Sequence, residues 1–301
     1  MSSTSRPAAR RLRVGAAATV TAAAVALIGS CSPASQRGWL PTGEGTTDRT
    51  DTVVQLWTGS WVAALLVGVL VWSLLIWCVV VYRKRKDDNQ LPVQLRYHLP
   101  LELLYTFVPI LMVGVLFFYT VKAQDEITQV DSSETDLNIQ VYGRQWSWDF
   151  NYVDADVYDT GEPADMNDIS TGQAGLDEYA AQEQVSTLYL PVGQTVTFEL
   201  NSRDVVHSFW IPAFLYKLDT IPGRTNTFQV TPQVEGTYYG RCAELCGEYH
   251  GYMLFNVEVV SPEEFEAHME DLRAAGQTGQ LGSEYDRDTI VDEPTIGEEE
   301  D

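Results

Sequence analysis

The chain has 301 residues, of which 42 are Asp or Glu and 19 are Lys or Arg, giving a formal net charge of −23. That acidity excludes a nucleic-acid-binding protein, which needs clustered cations to neutralise phosphates, and four cysteines are too few for a disulfide-dense scaffold. A hydrophobic share of 45% excludes global disorder, and the length allows one or two domains. The charge is uneven: residues 1–122 carry 12 basic and 6 acidic residues, residues 123–301 carry 7 and 36.

In chain order, residues 1–30 have the make-up of a secretory signal. Arg6, Arg10, Arg11 and Arg13 precede an Ala-rich apolar stretch from Val14 to Gly29 and small residues at the cleavage point. Ile28-Gly29-Ser30-Cys31 resembles a lipobox, which predicts cleavage before Cys31 and a lipid anchor on its thiol; a plain signal peptide with an incidental cysteine is the alternative. A short extracytoplasmic segment, 31–56, then leads to residues 57–82, an apolar run long enough to span a bilayer. Trp57 and Trp61 at one end and Trp77 and Tyr82 at the other mark its interfaces. The loop 83–102 opens with Arg83-Lys84-Arg85-Lys86 and is therefore placed in the cytoplasm. Residues 103–121 form a second apolar run of spanning length. Glu102 stands at its edge; position alone makes it a helix-end charge. Everything after Val121 is then extracytoplasmic, in agreement with an exported N-terminus.

From Ala123 onward the pattern changes to short alternating runs: Leu137–Tyr142, Ser186–Leu190, Val196–Leu200, Asn226–Val230, Thr237–Arg241 and Leu254–Val260. Turn signals at Pro191-Val192-Gly193, Pro222-Gly223 and Glu235-Gly236 separate them. The expected fold is a two-helix transmembrane hairpin followed by an all-β Greek-key sandwich or barrel over residues 123–260. Residues 154–183 are rich in Asp, Glu, Gly and Ala and are expected to be an irregular surface insertion. Ser261-Pro262-Glu263-Glu264 is a capping box that opens a short helix, 261–275. The acidic remainder, 276–301, has little to bury and is expected to be disordered.

The strongest chemical signal is Cys242-Ala-Glu244-Leu-Cys246-Gly-Glu-Tyr-His250-Gly-Tyr-Met253, with His207 upstream at the end of the strand-like run Asp204-Val-Val-His207. Two thiols, two imidazoles and a thioether suit copper or zinc. A mononuclear blue-copper site would use one cysteine, so the second thiol favours a pair of coppers bridged by sulfur. Three alternatives stand beside this: a Cys242–Cys246 disulfide, a Cys2His2 zinc site, and Met253 as an ordinary core residue.

Together these residues resemble subunit II of haem–copper cytochrome c oxidases, of the bacterial aa3 type, and more closely the lipoprotein type of high-GC Gram-positive bacteria. The resemblance runs from the first apolar span to the short terminal helix. It is carried by Gln145-Trp-Ser-Trp148, Asp204-Val-Val-His207-Ser-Phe209, Asp219-Thr-Ile-Pro-Gly-Arg224 and Tyr238 through Met253. It implies a cupredoxin-like domain with a binuclear Cu(A) centre of two copper ions. Cys242 and Cys246 would bridge, His207 and His250 would terminate, Met253 would be a weak ligand, and Glu244 would bind through its backbone carbonyl. The Glu244 side chain would reach a magnesium ion shared with subunit I. Trp146 matches the family's electron-input tryptophan, and Trp148 is expected in the core. Glu102 matches the glutamate at the cytoplasmic mouth of a proton channel.

The implied partners are oxidase subunits I and III, the membrane and a cytochrome c donor. Asp204 fits the carboxylates that dock a soluble cytochrome, but Arg203 and Asn151 stand where carboxylates often occur, and the insertion is additional. These departures point to a membrane-bound cytochrome of a bc complex, in a supercomplex, as the donor. The implied function is to accept electrons and pass them to subunit I, where oxygen is reduced with proton pumping. A membrane-anchored copper-binding electron carrier outside any oxidase is the alternative.

Overall fold

The computed structural model describes residues 32–84, 94–164 and 184–287. The expected signal, Cys31, most of the insertion and the last residues of the tail lie outside these. Two helices, α1 (Thr50–Val81) and α2 (Leu99–Thr128), have 32 and 30 residues. At about 1.5 Å per residue each is roughly 45 Å or more in length, beyond the ~30 Å apolar thickness of a bilayer. Each holds a stretch of spanning length that is apolar all round, as a lipid-facing helix is. Helix α1 begins before its apolar run, and α2 begins before and ends after its own, because helical hydrogen bonding does not stop where lipid contact does. At the start of α2, His98 Nδ1 accepts the Leu101 amide and Glu102 Oε1 accepts the His98 amide at 2.9 Å. Pro109 sits inside α2, a placement membrane helices tolerate.

Among the described residues, ten strands form the second unit: β1 (Leu137–Arg144), β2 (Ser147–Tyr152), β3 (Val157–Thr160), β4 (Thr187–Pro191), β5 (Val196–Ser202), β6 (His207–Ile211), β7 (Tyr216–Thr220), β8 (Asn226–Val230), β9 (Gly236–Cys242) and β10 (Leu254–Val260). They make two five-stranded sheets, ordered β3-β2-β1-β5-β8 and β4-β10-β9-β6-β7. The β1–β5 and β10–β4 pairs are parallel and the others antiparallel. This is a cupredoxin-like sandwich. Between the sheets lie fully buried Trp148, Phe150, Phe198 and Phe255 with Phe209. Phe209 and Phe255 stack with centroids 4.8 Å apart, and the edge of Trp148 meets both at 5.5 Å. Helix α3 (Pro262–Ala274) begins with the expected capping box, Ser261 with Glu264, and buries Phe265, Met269 and Leu272.

Two expectations change. Residues 154–183 are not irregular throughout: Val157–Thr160 forms an edge strand on β2, with Val157 fully buried opposite Tyr152. Residues 276–287 are ordered rather than free. Gly276, with φ +81°, closes α3, and the chain then runs back along the sheet as a strap. Gly279 N–H donates to Asp156, Leu281 exchanges two hydrogen bonds with the Asn151 side chain, and the Arg203 guanidinium donates to the carbonyls of Leu281 and Gly282. The strap forms because Asn151 and Arg203 are almost fully buried and their donors need partners.

Candidate metal centre

The strand ends β1/β2, β5/β6 and β9/β10 meet at one edge of the sandwich, and the predicted ligands sit there. His207 begins β6, and Cys242 ends the neighbouring β9, two residues out of register with it. Sequence patterning had put His207 at the end of a strand. Instead Arg203–Val206 is a turn, closed by a hydrogen bond from the Ser202 hydroxyl to the Val205 carbonyl. The loop after Cys242 folds back as a single 3-10 turn, His250–Tyr252, and the Cys242 amide donates to the Met253 carbonyl.

The donor atoms converge. His207, Cys242 and Cys246 are all buried, with ligand atoms within 4.8 Å of one another. Both cysteines are free thiols, with sulfurs 3.8 Å apart. Each histidine presents Nδ1 to its own sulfur: His207 lies 3.9 Å from Cys242 Sγ and His250 lies 3.5 Å from Cys246 Sγ. Met253 Sδ is 3.8 Å from Cys246 Sγ, and the Glu244 carbonyl oxygen is 3.1 Å from Cys242 Sγ. The Glu244 side chain is exposed. Two thiols, two imidazoles, a thioether and a carbonyl around one buried space are a donor set that fits copper.

Several surrounding residues orient the ligands. Asp204 Oδ1 lies 2.7 Å from His207 Nε2, which fixes the proton there and leaves Nδ1 as the lone-pair donor. Asp204 also accepts the amides of Val205 and Gln145, so its carboxylate is committed inward and is not the docking charge that sequence suggested. Burial disfavours the charged imidazolium of His207, but the Asp204 carboxylate and the Cys242 sulfur outweigh it and hold its pKa above the ordinary value. Burial also opposes thiolate formation at Cys242, yet His207 and the Ser208 and Glu244 backbone bring its pKa down. Burial, then the adjacent Cys242, push Cys246 up to about 12. Two adjacent buried sulfurs oppose each other's ionisation, and a bound cation supplies the charge that such a pair needs.

Trp148 is fully buried beside His207, with ring centroids 6.2 Å apart. Trp146 is only partly covered. Its ring meets Tyr249 edge-on at 4.7 Å and packs over Gly247, where a Cβ would lie 3.2 Å from the indole. Gly247 has φ +127°, so glycine serves both the turn and the close approach. Leu245, between Glu244 and Cys246, is 77% exposed. Sequence reasoning gave no role to Gln145, whose side-chain amide donates to the Cys246 carbonyl at 2.8 Å, or to Gly143, whose Cα faces the His207 ring. Gln145 was visible within the Gln-Trp-Ser-Trp motif, but only the fold shows what it touches. Glu102 lies in α2, outside this cluster.

The fold and site together define a protein with two helices of membrane-spanning length and a cupredoxin-like domain that carries a sulfur-rich candidate metal site. The comparisons with known proteins name the particular family. The profile described as "Cytochrome C oxidase subunit II, periplasmic domain" matches residues 137–260. A relative in Streptomyces coelicolor, named a probable cytochrome c oxidase subunit 2, is 44% identical over 253 residues, covering 78% of this chain and 79% of that one. The cytochrome c oxidase subunit 2 of Mycobacterium tuberculosis is 32% identical over 311 residues, covering 90% and 84%. The crystal structure of the periplasmic domain of subunit II of cytochrome oxidase from Bradyrhizobium japonicum matches with 28% identity and a TM-score of 0.40, covering 47% of this chain and 96% of that one. The chain belongs to the cytochrome c oxidase subunit II family. It is one subunit of a membrane-bound oxidoreductase complex, with its copper domain on the extracytoplasmic side.

Proposed function

We propose that this chain receives electrons from a cytochrome c at a binuclear copper centre and hands them to the haem centres of subunit I. When bound, the two copper ions take up and release one electron shared between them. Cys242 and Cys246 would bridge them, His207 and His250 would each hold one, and Met253 and the Glu244 carbonyl would complete the set. The observation that carries this reading is the paired arrangement, in which each imidazole Nδ1 faces a different one of two adjacent buried thiols. A one-cysteine blue-copper site has no use for the second thiol, and a Cys2His2 zinc site has none for the Met253 thioether beside Cys246.

The protein's work is to hold these groups still. His207 and Cys242 sit on adjacent strands, Asp204 locks one imidazole, and the aromatic core lies directly beneath. Rigid placement lowers the reorganisation that accompanies electron transfer. Trp146 is the electron-input residue in this reading: it is partly exposed and packs on Gly247, adjacent to Cys246. The exposed Glu244 carboxylate would bind a magnesium ion shared with subunit I. Glu102 would open a proton path into subunit I, with subunit III completing the complex, and Cys31 would carry the lipid anchor. The donor would be a membrane-bound cytochrome of a bc complex, contacted by the insertion.

Trp146→Leu in the assembled oxidase separates input from metal holding. It should slow reduction of the copper by the donor at least tenfold and leave the copper spectrum unchanged. Wild-type reduction rates in this variant would refute the role. Deleting residues 165–183, which spares β3, should weaken co-purification with the bc complex; intact co-purification and flux would remove the insertion from the donor contact. A chain that purifies alone, with no oxidase subunits, would favour a stand-alone carrier.

A further inference from the structure

We propose that Gln145 is a positioning residue that joins the two ligand-bearing loops, and that the C-terminal strap holds it in place through Arg287. The proposal rests on the reading of His207 and Cys246 as metal ligands. Gln145 sits in the turn between β1 and β2 and carries none of the metal's donor atoms. Its backbone N–H donates to Asp204 Oδ2 at 2.7 Å, and the other oxygen of that carboxylate holds His207 Nε2. Its side-chain Nε2 donates to the Cys246 carbonyl at 2.8 Å. One residue therefore ties the His207 turn to the Cys246 loop.

A glutamine amide is free to turn about its last bond unless both its ends are held. Its oxygen here accepts Arg287 Nη1 at 3.2 Å. With Arg287 donating to the oxygen, the nitrogen is the end that must face Cys246. Reversal would set a donor against a donor and an acceptor against a carbonyl. Arg287 is itself anchored, since its N–H donates to the Arg203 carbonyl at 2.8 Å. Arg203 is buried and forms an ion pair with Asp149 at 2.8 Å and with Asp286 at 3.2 Å. It also donates to Leu281 and Gly282, and its guanidinium lies 4.0 Å from the centre of the Tyr142 ring. The strap is thus fastened at Asn151 and Arg203 and ends on the residue that grips Cys246. The two positions where sequence departs from the carboxylates of docking faces are its attachment points.

The test uses the full chain in detergent, with four changes: Arg287→Met, Arg287→Lys, Gln145→Leu, and a chain ending at Arg287, which removes only residues 288–301. In the metal-free chain, amide hydrogen exchange at Gly247–His250 should be roughly three- to tenfold faster in Arg287→Met, the effect of losing one hydrogen bond. In the copper-loaded chain the same variant should lose copper to a chelator faster by a similar factor and show an altered hyperfine pattern. Arg287→Lys, which keeps a donor, and the chain ending at Arg287 should match wild type. Gln145→Leu should exceed Arg287→Met on every readout, while circular dichroism shows the sandwich folded in all of them. Wild-type behaviour of Arg287→Met beside a perturbed Gln145→Leu would overturn the role of the strap. Wild-type behaviour of both would overturn the proposal entirely. If the wild-type chain takes up no copper, the reading of the site fails, while the exchange measurement still decides whether the strap holds the loop.

Discussion

Gly143 offers a sharp perturbation of the centre because substituting it changes the packing against a ligand without replacing any ligand. A Cβ built there lies 3.0 Å from His207 Cδ2, 3.2 Å from His207 Cγ and 3.1 Å from Thr220 Oγ1. Carbon atoms rest at about 3.5–4.0 Å, so the Gly143→Ala methyl needs roughly half an ångström that neither neighbour can give easily. Thr220 pairs with His207 across β7, and the imidazole is held between Trp148 and Asp204. The strain should cost about 1–2 kcal/mol of stability, the usual range for an extra methyl in a packed core. The displacement should fall on the imidazole, shifting the visible absorption and the hyperfine coupling of the copper-loaded chain. Gly251→Ala is the matched control. It adds the same methyl next to His250 in the chain, where nothing beyond its two chain neighbours lies within 4 Å, and should change stability by less than about 0.5 kcal/mol with no spectral change. Equal spectra for wild type and Gly143→Ala, or equal shifts in both variants, would refute the claim that packing on β1 sets the position of His207.

Gly240→Ala should prevent the sandwich from folding, because the new Cβ would lie 1.9–2.3 Å from three atoms of the Phe255 ring, which is buried against Phe209 and Trp148; Phe255→Leu in the same chain should restore folding in part, as read by near-ultraviolet circular dichroism. Arg203→Met should destabilise by about 1.5–3 kcal/mol, since the buried Asp149 carboxylate loses one of its two arginines and keeps Arg144, and limited proteolysis should then cut within residues 281–287. Burial pushes the Asp159 carboxyl up to about 6, against hydrogen bonds from Thr187 and Thr160 that act the other way. The folded domain therefore holds this proton more tightly than the unfolded chain. The associated stability is present below pH 3.8 and is lost as pH rises through about 6, a change of about 2–3 kcal/mol. Asp159→Asn should flatten that slope in denaturation curves taken between pH 4 and 7.

Sequence showed the parts whose signal is local. Two charge-free apolar runs, the capping box at Ser261 and the spacing of Cys242, Cys246, His250 and Met253 are each written in consecutive residues. The strands missed were those without alternation. Ser147–Tyr152 is buried on both faces, and Tyr216–Thr220 is partly exposed on both, so neither shows a period of two. The strap was illegible for a different reason. Residues 276–287 hold few apolar side chains, and what binds them is the hydrogen-bonding need of Arg203 and Asn151, far away in the chain. Asp204 shows the same limit: a carboxylate three residues before a histidine reads as surface charge until the turn brings it onto the imidazole.

The most direct test of the account is metal content with electron spin resonance on the full chain loaded with copper in detergent, beside a Cys246→Ser variant. The account predicts two coppers per wild-type chain, a hyperfine pattern from one electron shared equally by two copper nuclei, and loss of that pattern in Cys246→Ser. One copper per chain with single-nucleus splitting, or preferential retention of zinc, would contradict it.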